Sequence, residues 1–452
     1  MDRGVLKTVV SGLIMLIFTA VYYLYNPWLS LFAVVVVLIL YFRYEGKNYS
    51  TVEEGLFCNT MKLFVVFAAV IAAARFINIT GYPIDFYTDE WNEISGAYFR
   101  LSGDREFLAY NSRFGSSLLY FSLGVITAVM ALFRENLDML RLIPAVVSVL
   151  TALAFYFLGA VLKNKKLGVV WAFLFLSSCW ALFLSRKLME NIYIPFFAVL
   201  VLVLFFAYIR TGRFLMLAAA GVLWFLALYT YSSWLLSIPM AVYLCFEYRK
   251  ELGHKKLVGT AIFMVAALVL YSLAPGGAGE TQEWALRNTV FQKGGQVLAV
   301  FVNIKNIFIY LFTPFEYTHL SHTLPAVSAS GALLLAGGIA EAVRSRDNRT
   351  SRFFLFGLLI SMATLVICED PAHNLRHVMM LPFIVMLSGI FLNRMLRWKY
   401  LYVFIALHIC LFSGSLFYHL TVWGTQMNIS GKEMAVSAHI NSCLLYTSDA
   451  AD

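Results

Sequence analysis

Residues 138–159 read DMLRLIPAVVSVLTALAFYFLG, and beyond Arg141 no charge appears until Lys163. A helix needs roughly 20 apolar residues to cross the hydrocarbon of a bilayer, so this run is long enough to span it. Lys163, Lys165 and Lys166 follow at once, the pattern of a cytoplasmic turn. Runs of the same kind recur along the 452 residues, which are 61% hydrophobic and only 13% charged, with a mean hydropathy of +0.77. That composition excludes an ordinary water-soluble domain. Backbone groups in lipid must find partners within their own segment, so the fold class is an all-α polytopic membrane protein, a transmembrane helix bundle.

The formal charge of +9 needs no nucleic acid to explain it, because Lys and Arg gather in the cytoplasmic loops of membrane proteins. The six cysteines are dispersed, with no paired metal-ligand spacing, and read as buried thiols. The N-terminus, MDRGVLKTVVSGLIMLIF, has a basic start and an apolar stretch without a small-residue cleavage site, and is expected to be a retained first span. At the other end INSCLLYTSDAAD abandons the composition of all that precedes it. It resembles a translated adaptor sequence, so 442–452 is expected to be an artefactual tail on a truncated chain.

Basic clusters at Lys163/Lys165/Lys166, Arg210/Arg213, Arg249/Lys250/Lys255/Lys256, Arg344/Arg346/Arg349/Arg352 and Arg394/Arg397/Lys399 are assigned to the cytoplasmic side. Alternate loops then face outward, among them 185–193, 229–233, 274–327 and 369–377. Charge parity lets only one of 115–133 and 139–162 cross; 115–133, which opens near Arg113, Gly115, Ser116 and Ser117, is assigned to the outer face, and 297–312 is assigned there by the same logic. About 11 core spans follow, near 61–79, 139–162, 167–184, 191–209, 214–229, 233–247, 257–273, 328–343, 353–368, 378–393 and 400–417. An N-terminal hairpin near 8–25 and 29–42 precedes them. The expected domains are 1–60 (hairpin and cytoplasmic loop), 61–420 (catalytic bundle, with 80–138 as first outward loop) and 421–441 (start of an outward segment).

The polar residues of interest share the outward side. In FYTDEWNEISGAYFRL (86–101), Asp89 and Glu90 stand side by side before Trp91, Ile94, Tyr98 and Leu101, whose spacing predicts an amphipathic helix lying on the membrane surface. The pair is suited to capping that helix and complementing its dipole. A second reading takes in the other outward loops. Arg186, Lys187 and Glu190 lie on one, and Arg376, flanked by His373 and His377, on another. Arginine forks grip phosphate oxygens, so together these side chains suit a phosphate-bearing substrate. The competing account has Arg186 and Lys187 snorkelling and the histidines as ordinary loop residues.

Four patterns occur in order: TDEWNEISGAYFRLSGD (88–104), DMLRLIPAVVSVLTALAFYFLG, LSRKLMENIYIPFF (184–197) and HNLRHVMMLPFIVML (373–387). Together they resemble the GT-C superfamily of membrane glycosyltransferases, in particular the group related to protein O-mannosyltransferases and lipid A aminoarabinose transferase. The resemblance covers about 85–390. It departs from many relatives at SRFGSSLLYF (112–121), where they carry a Pro-Pro-Leu run. It implies a GT-C-like bundle in which Asp89 is the base toward an acceptor hydroxyl, with Glu90 as its neighbour or as a divalent-cation ligand. Arg186, Lys187, Glu190, Arg376, His373 and His377 would bind the donor sugar or its phosphate.

The activity so implied is that of a transferase moving a sugar from a polyprenyl-phosphate donor to a hydroxyl on a lipid, glycan or protein acceptor. A single displacement would invert the anomeric carbon. The setting is the outer face of a bacterial-type inner membrane, with membrane lipids as surroundings. The alternative is a transporter or flippase of a lipid-linked sugar. A transporter places ionisable residues near the midplane, whereas in this chain the charges are expected at loop edges.

Overall fold

The computed structural model describes residues 64–73, 75–76, 120–132, 137–273, 296–312, 326–345, 347–368 and 377–396, with single positions at 90, 94, 97, 405, 408, 409 and 412. The expected N-terminal hairpin, most of the first loop, Asp89, His373, Arg376 and the segment from 421 onward lie outside them. The described residues are helical nearly throughout, an all-α membrane protein.

The chain enters with α1 (Phe64–Ala73) and α2 (Tyr120–Leu132), then α3 (Leu142–Leu162) and α4 (Lys165–Leu176). The α3–α4 hairpin is tight because the side chain of Asn164 accepts the Leu167 N–H at 3.0 Å and because two glycines meet where the helices cross. A Cβ on Gly168 would stand 2.1 Å from the Tyr156 carbonyl oxygen, and one on Gly159 2.3 Å from the Gly168 nitrogen. Small residues of this kind let membrane helices approach backbone to backbone.

The continuous span expected at 167–184 is contradicted. α4 stops at Leu176, and a separate short helix, α5 (Cys179–Leu184), follows. Ser178 leaves the helical region with φ −75° and ψ 127°, and its hydroxyl accepts the Ala181 N–H at 3.3 Å as the cap of the new helix. α6 (Tyr193–Thr211) ends at Gly212, whose φ of 69° is a left-handed cap suited to glycine. α7 (Phe214–Ala227), α8 (Ser237–Glu247) and α9 (Arg249–Leu273, interrupted at Gly253) follow. α10 (Gln296–Phe312), α11 (Ala329–Arg344), α12 (Arg349–Ile367) and α13 (Met380–Met395) complete the described set.

The core lies where α3 packs on α4 and α6, and α13 on α4, α11 and α12. The Trp171 indole of α4 donates to the Met386 carbonyl of α13 at 3.0 Å, locking those two helices. On the outside, α3 exposes Val146, Leu150, Leu153 and Phe157 at i, i+4, i+7 and i+11, and α9 exposes Val258, Ile262, Val265 and Val269 at the same spacing. Stripes of large apolar residues facing outward suit hydrocarbon and would be costly in water. Among the described residues four helices are long and apolar enough to cross a membrane: Met139–Leu162, Glu190–Thr211, Arg249–Ser272 and Arg349–Ile367. The segments expected at the outer face correspond to α2, of 13 residues, and α10, of 17.

The two ends of the bundle differ. At one, where the basic clusters fall, exposed and half-buried ion pairs tie helix ends together: Arg352 to Glu247 at 2.7 Å, Arg349 to Glu251 at 2.6 Å, and Arg394 to Glu341. At the other end, four helices begin alike, with proline as the third residue: Leu142-Ile143-Pro144, Tyr193-Ile194-Pro195, Ser237-Ile238-Pro239 and Met380-Leu381-Pro382. A first-turn N–H has no intrahelical acceptor, so proline costs no hydrogen bond there. Three of these starts are preceded by a 3-10 turn, at Leu137–Arg141, Glu190–Ile192 and Ser232–Leu236.

The glycine contact gives a direct test. Gly168→Val places extra carbons against the α3 backbone, and overpacking of this kind costs about 1–3 kcal/mol or more. The expected outcome is a marked loss of monodisperse protein after heating, read by fluorescence-detected size exclusion, while Val169→Ala one position along is tolerated.

Candidate active site

Glu90 is helical and completely buried, and Ile94 and Ala97, at i+4 and i+7 on the same face, are buried with it. The expectation of a carboxylate at a water-facing loop edge is therefore overturned for Glu90. Its Oε1 accepts the Leu188 N–H at 2.8 Å and lies 3.7 Å from Nε of Arg141. Arg141 is the last residue of the 3-10 turn before α3 and is 1% exposed.

Arg186 and Lys187 follow the C-cap of α5 and are equally buried. The Lys187 ammonium stands over the Phe183 ring, 5.1 Å from its centroid, and its charge reaches Glu90. Arg186 donates through Nη1 to the backbone carbonyl of Arg75 at 3.3 Å. Each nitrogen of the Arg75 guanidinium donates a hydrogen bond: Nε to Ser148 Oγ on α3 at 2.9 Å, Nη1 to the Ile71 carbonyl at 3.2 Å, and Nη2 to the Leu176 carbonyl at the α4 break at 2.7 Å. Four cations and Glu90, from four separate stretches of chain, are thus linked each to the next.

The electrostatics follow from burial. Loss of water pushes the Glu90 carboxyl above its ordinary range, while Arg141, Lys187 and the Leu188 N–H pull the other way. Burial, and then the neighbouring Arg141 charge, lower the Arg186 guanidinium to about 10, so it stays cationic at neutral pH. Adjacent cations held in a dry site favour an anion between them. Among the described residues no group of three His, Cys, Asp or Glu stands close enough to hold a metal.

The other expected site residues fare differently. Glu190 opens the 3-10 turn Glu190–Ile192 and is half-buried. His377 is buried at the turn before α13, where its Nδ1 is 2.7 Å from Thr364 Oγ1. Since that hydroxyl donates to the Ser361 carbonyl at 2.8 Å, it accepts from His377, and the histidine bridges α12 to the start of α13. Asn303 of α10 donates to the Val366 and Cys368 carbonyls at 2.9 and 3.1 Å, pinning the end of α12 from which the 369–377 loop departs.

Two cations of this cluster, Arg75 and Arg141, are additions to the residues expected from sequence. Arg75 lies inside the apolar run VIAAARFINI (70–79), and an ionisable residue in such a run is itself a signal. Arg141 precedes a long apolar run, a place where arginine is ordinarily an interfacial anchor. The expectation that the charges sit at water-facing loop edges is corrected for Arg75, Glu90, Arg141, Arg186 and Lys187, all at most 1% exposed.

No family model and no curated protein matches this chain. Among solved structures it is similar to the archaeal oligosaccharyltransferase AglB from Archaeoglobus fulgidus in complex with an inhibitory peptide and a dolichol-phosphate. That likeness has 13% identity and a TM-score of 0.50, over 80% of this chain and 55% of that one. A second structure of the Archaeoglobus fulgidus oligosaccharyltransferase, tethered to an acceptor peptide containing the NVT sequon, gives 16% identity and a TM-score of 0.48 over 80% and 54%. The chain spans about half the length of these proteins, and the likeness is one of fold.

Removing the Glu90 carboxyl tests the cluster. Glu90→Ala leaves the Leu188 N–H without its acceptor and takes the counter-charge from Arg141 and Lys187, a loss on the order of 3–5 kcal/mol for a buried pair. Glu90→Gln keeps an acceptor for Leu188 and is expected to recover part of it. Thermal midpoints in detergent should fall in the order wild type, Gln, Ala, and equal midpoints would show that Glu90 does not hold the cluster together.

Proposed function

From a chain with the GT-C fold of membrane glycosyltransferases, we propose a transferase that moves a sugar from a polyprenyl-phosphate donor to an acceptor hydroxyl at the outer face of the membrane. The observation that carries this reading is the buried cluster in which Arg141 and Lys187 lie against Glu90 and Arg186 lies within electrostatic reach of Arg141, built from three elements at one end of the bundle. The dolichol-phosphate in the archaeal structure supports a lipid-linked donor, and its inhibitory peptide keeps a protein among the acceptors beside lipid and glycan.

In this reading the donor phosphate is drawn to Arg186 and Lys187, with Arg376 as a further phosphate ligand. Asp89 takes the proton from the acceptor hydroxyl as its oxygen bonds to the anomeric carbon. The bond from that carbon to the phosphate oxygen breaks on the opposite side, and polyprenyl phosphate leaves with the electron pair. Cations held in place before the reaction stabilise the developing charge without reorganising, so no strong general acid is needed. The anomeric configuration inverts. Glu90 holds Leu188 and thereby the backbone that presents Arg186 and Lys187, a positioning role distinct from that of Asp89.

Purified protein incubated with a panel of undecaprenyl-phosphate sugars should consume one of them and release undecaprenyl phosphate. Asp89→Asn should lower turnover by about 10²–10⁴-fold while the protein remains folded and in the membrane. Undiminished turnover would end the base assignment. Arg186→Lys keeps the charge and loses the planar fork, and its expected mark is a raised KM for the donor with a smaller change in kcat.

A further inference from the structure

Beside the α4–α5 break lies a small, partly open cavity, bounded by Ser177, Ser328, Ser388 and His408 on its polar side and by residues such as Leu381 and Ile384 on its apolar side. His408 is buried between two hydroxyls, with Nε2 2.8 Å from Ser177 Oγ and Nδ1 2.8 Å from Ser330 Oγ. One tautomer satisfies every one of these bonds. Ser177 Oγ donates to the Phe173 carbonyl at 2.8 Å, so it accepts from His408, which carries its hydrogen on Nε2. Nδ1 is then the acceptor, and Ser330 donates to it. Every hydroxyl hydrogen of that chain of bonds is spent within it.

Ser388, on α13, is different. Its Oγ is buried, faces the same cavity and has no hydrogen-bond partner among the described residues. A hydroxyl taken out of water and left unpaired is a standing penalty that native structures rarely keep. The cavity offers about 40 Å³ to the centres of water molecules, and each water needs on the order of 10–15 Å³ of such space. Two requirements for buried water are therefore met together: room, and several polar groups facing it.

We propose that this cavity is a binding site for ordered water, which accepts the Ser388 hydroxyl hydrogen and donates to the remaining lone pairs of Ser177 and Ser328. The water joins α13 to the α4–α5 break and to the N-cap of α11. It lies one residue from the Leu176 carbonyl that Arg75 grips, so it supports the helix break on which the position of Arg75 depends. The inference is independent of the transfer reaction and stands whether or not that reading survives.

The sign of a stability change decides it. In a dry cavity, Ser388→Ala deletes an unpaired hydroxyl and raises the thermal midpoint of the full-length protein in detergent. In a hydrated one, it strips the water of a partner and lowers the midpoint by a few degrees, with Ser388→Val lowering it further. X-ray radiolytic footprinting of the wild type gives a second readout, because hydroxyl radicals form at bound water. Ile384, on the cavity wall, should label several-fold faster than Ile194, a buried isoleucine away from it. A raised midpoint for Ser388→Ala, or equal labelling of the two isoleucines, overturns the proposal.

Discussion

A guanidinium without water must find oxygen, and Arg75 finds it on three sides: Ser148 on α3, the Ile71 carbonyl within its own segment and the Leu176 carbonyl where α4 stops. Burying a charge without such compensation would cost several kcal/mol. The requirement explains the broken span. Leu176 gives its carbonyl to Arg75, Ser178 starts a new helix, and α5 ends at the point where Arg186 can donate to the Arg75 backbone carbonyl. One buried cation therefore fixes the relation of α1, α3 and α4 and the place of the next arginine in the cluster.

Around that anchor the rest of the site end is built by repetition of a local device. A 3-10 turn or a single turn leads into a helix whose third residue is proline, and the turn carries, or stands next to, a side chain of the candidate site. Arg141 ends one such turn, Glu190 opens another and His377 opens a third. Proline fixes φ at each entry without sacrificing a hydrogen bond, so the entry is stiff. Stiff entries hold side chains in register better than the loops of a membrane surface would.

Much of this is legible in the sequence, and what is not has a physical cause. The apolar run after Arg141 yields α3 because helical periodicity and length are set by the bilayer, and Lys187 does lie within electrostatic reach of Glu90. The break at Ser177 and Ser178 is hidden because both residues are tolerated within transmembrane helices, and the partner that takes the freed Leu176 carbonyl, Arg75, is distant in sequence. Burial of Glu90 is hidden for a similar reason: a carboxylate beside an aspartate in a polar stretch gives no local sign that Leu188, nearly a hundred residues on, will supply its hydrogen bond. His377 lies in a motif rich in histidine and arginine, but its tie to Thr364 depends on how α12 and α13 pair. The four starts with proline third are visible in the sequence, yet a proline within an apolar run marks an entry only once the start of the helix is known.

The two ends of the bundle place their charges in opposite regimes. At the basic end, Arg349 and Glu251 are each about a third exposed, and pairs of that kind contribute little because water screens them. They tie helix ends and can be exchanged at small cost. At the site end the charges are dry, each depends on the others, and removal of one leaves its partner stranded. Selection for packing alone would replace such a cluster with apolar side chains, since buried ion pairs rarely stabilise more than a well-packed hydrophobic core. Holding Arg141, Arg186 and Lys187 with Glu90 at most 1% exposed is therefore a cost in stability, which the proposed hold on a donor phosphate would explain.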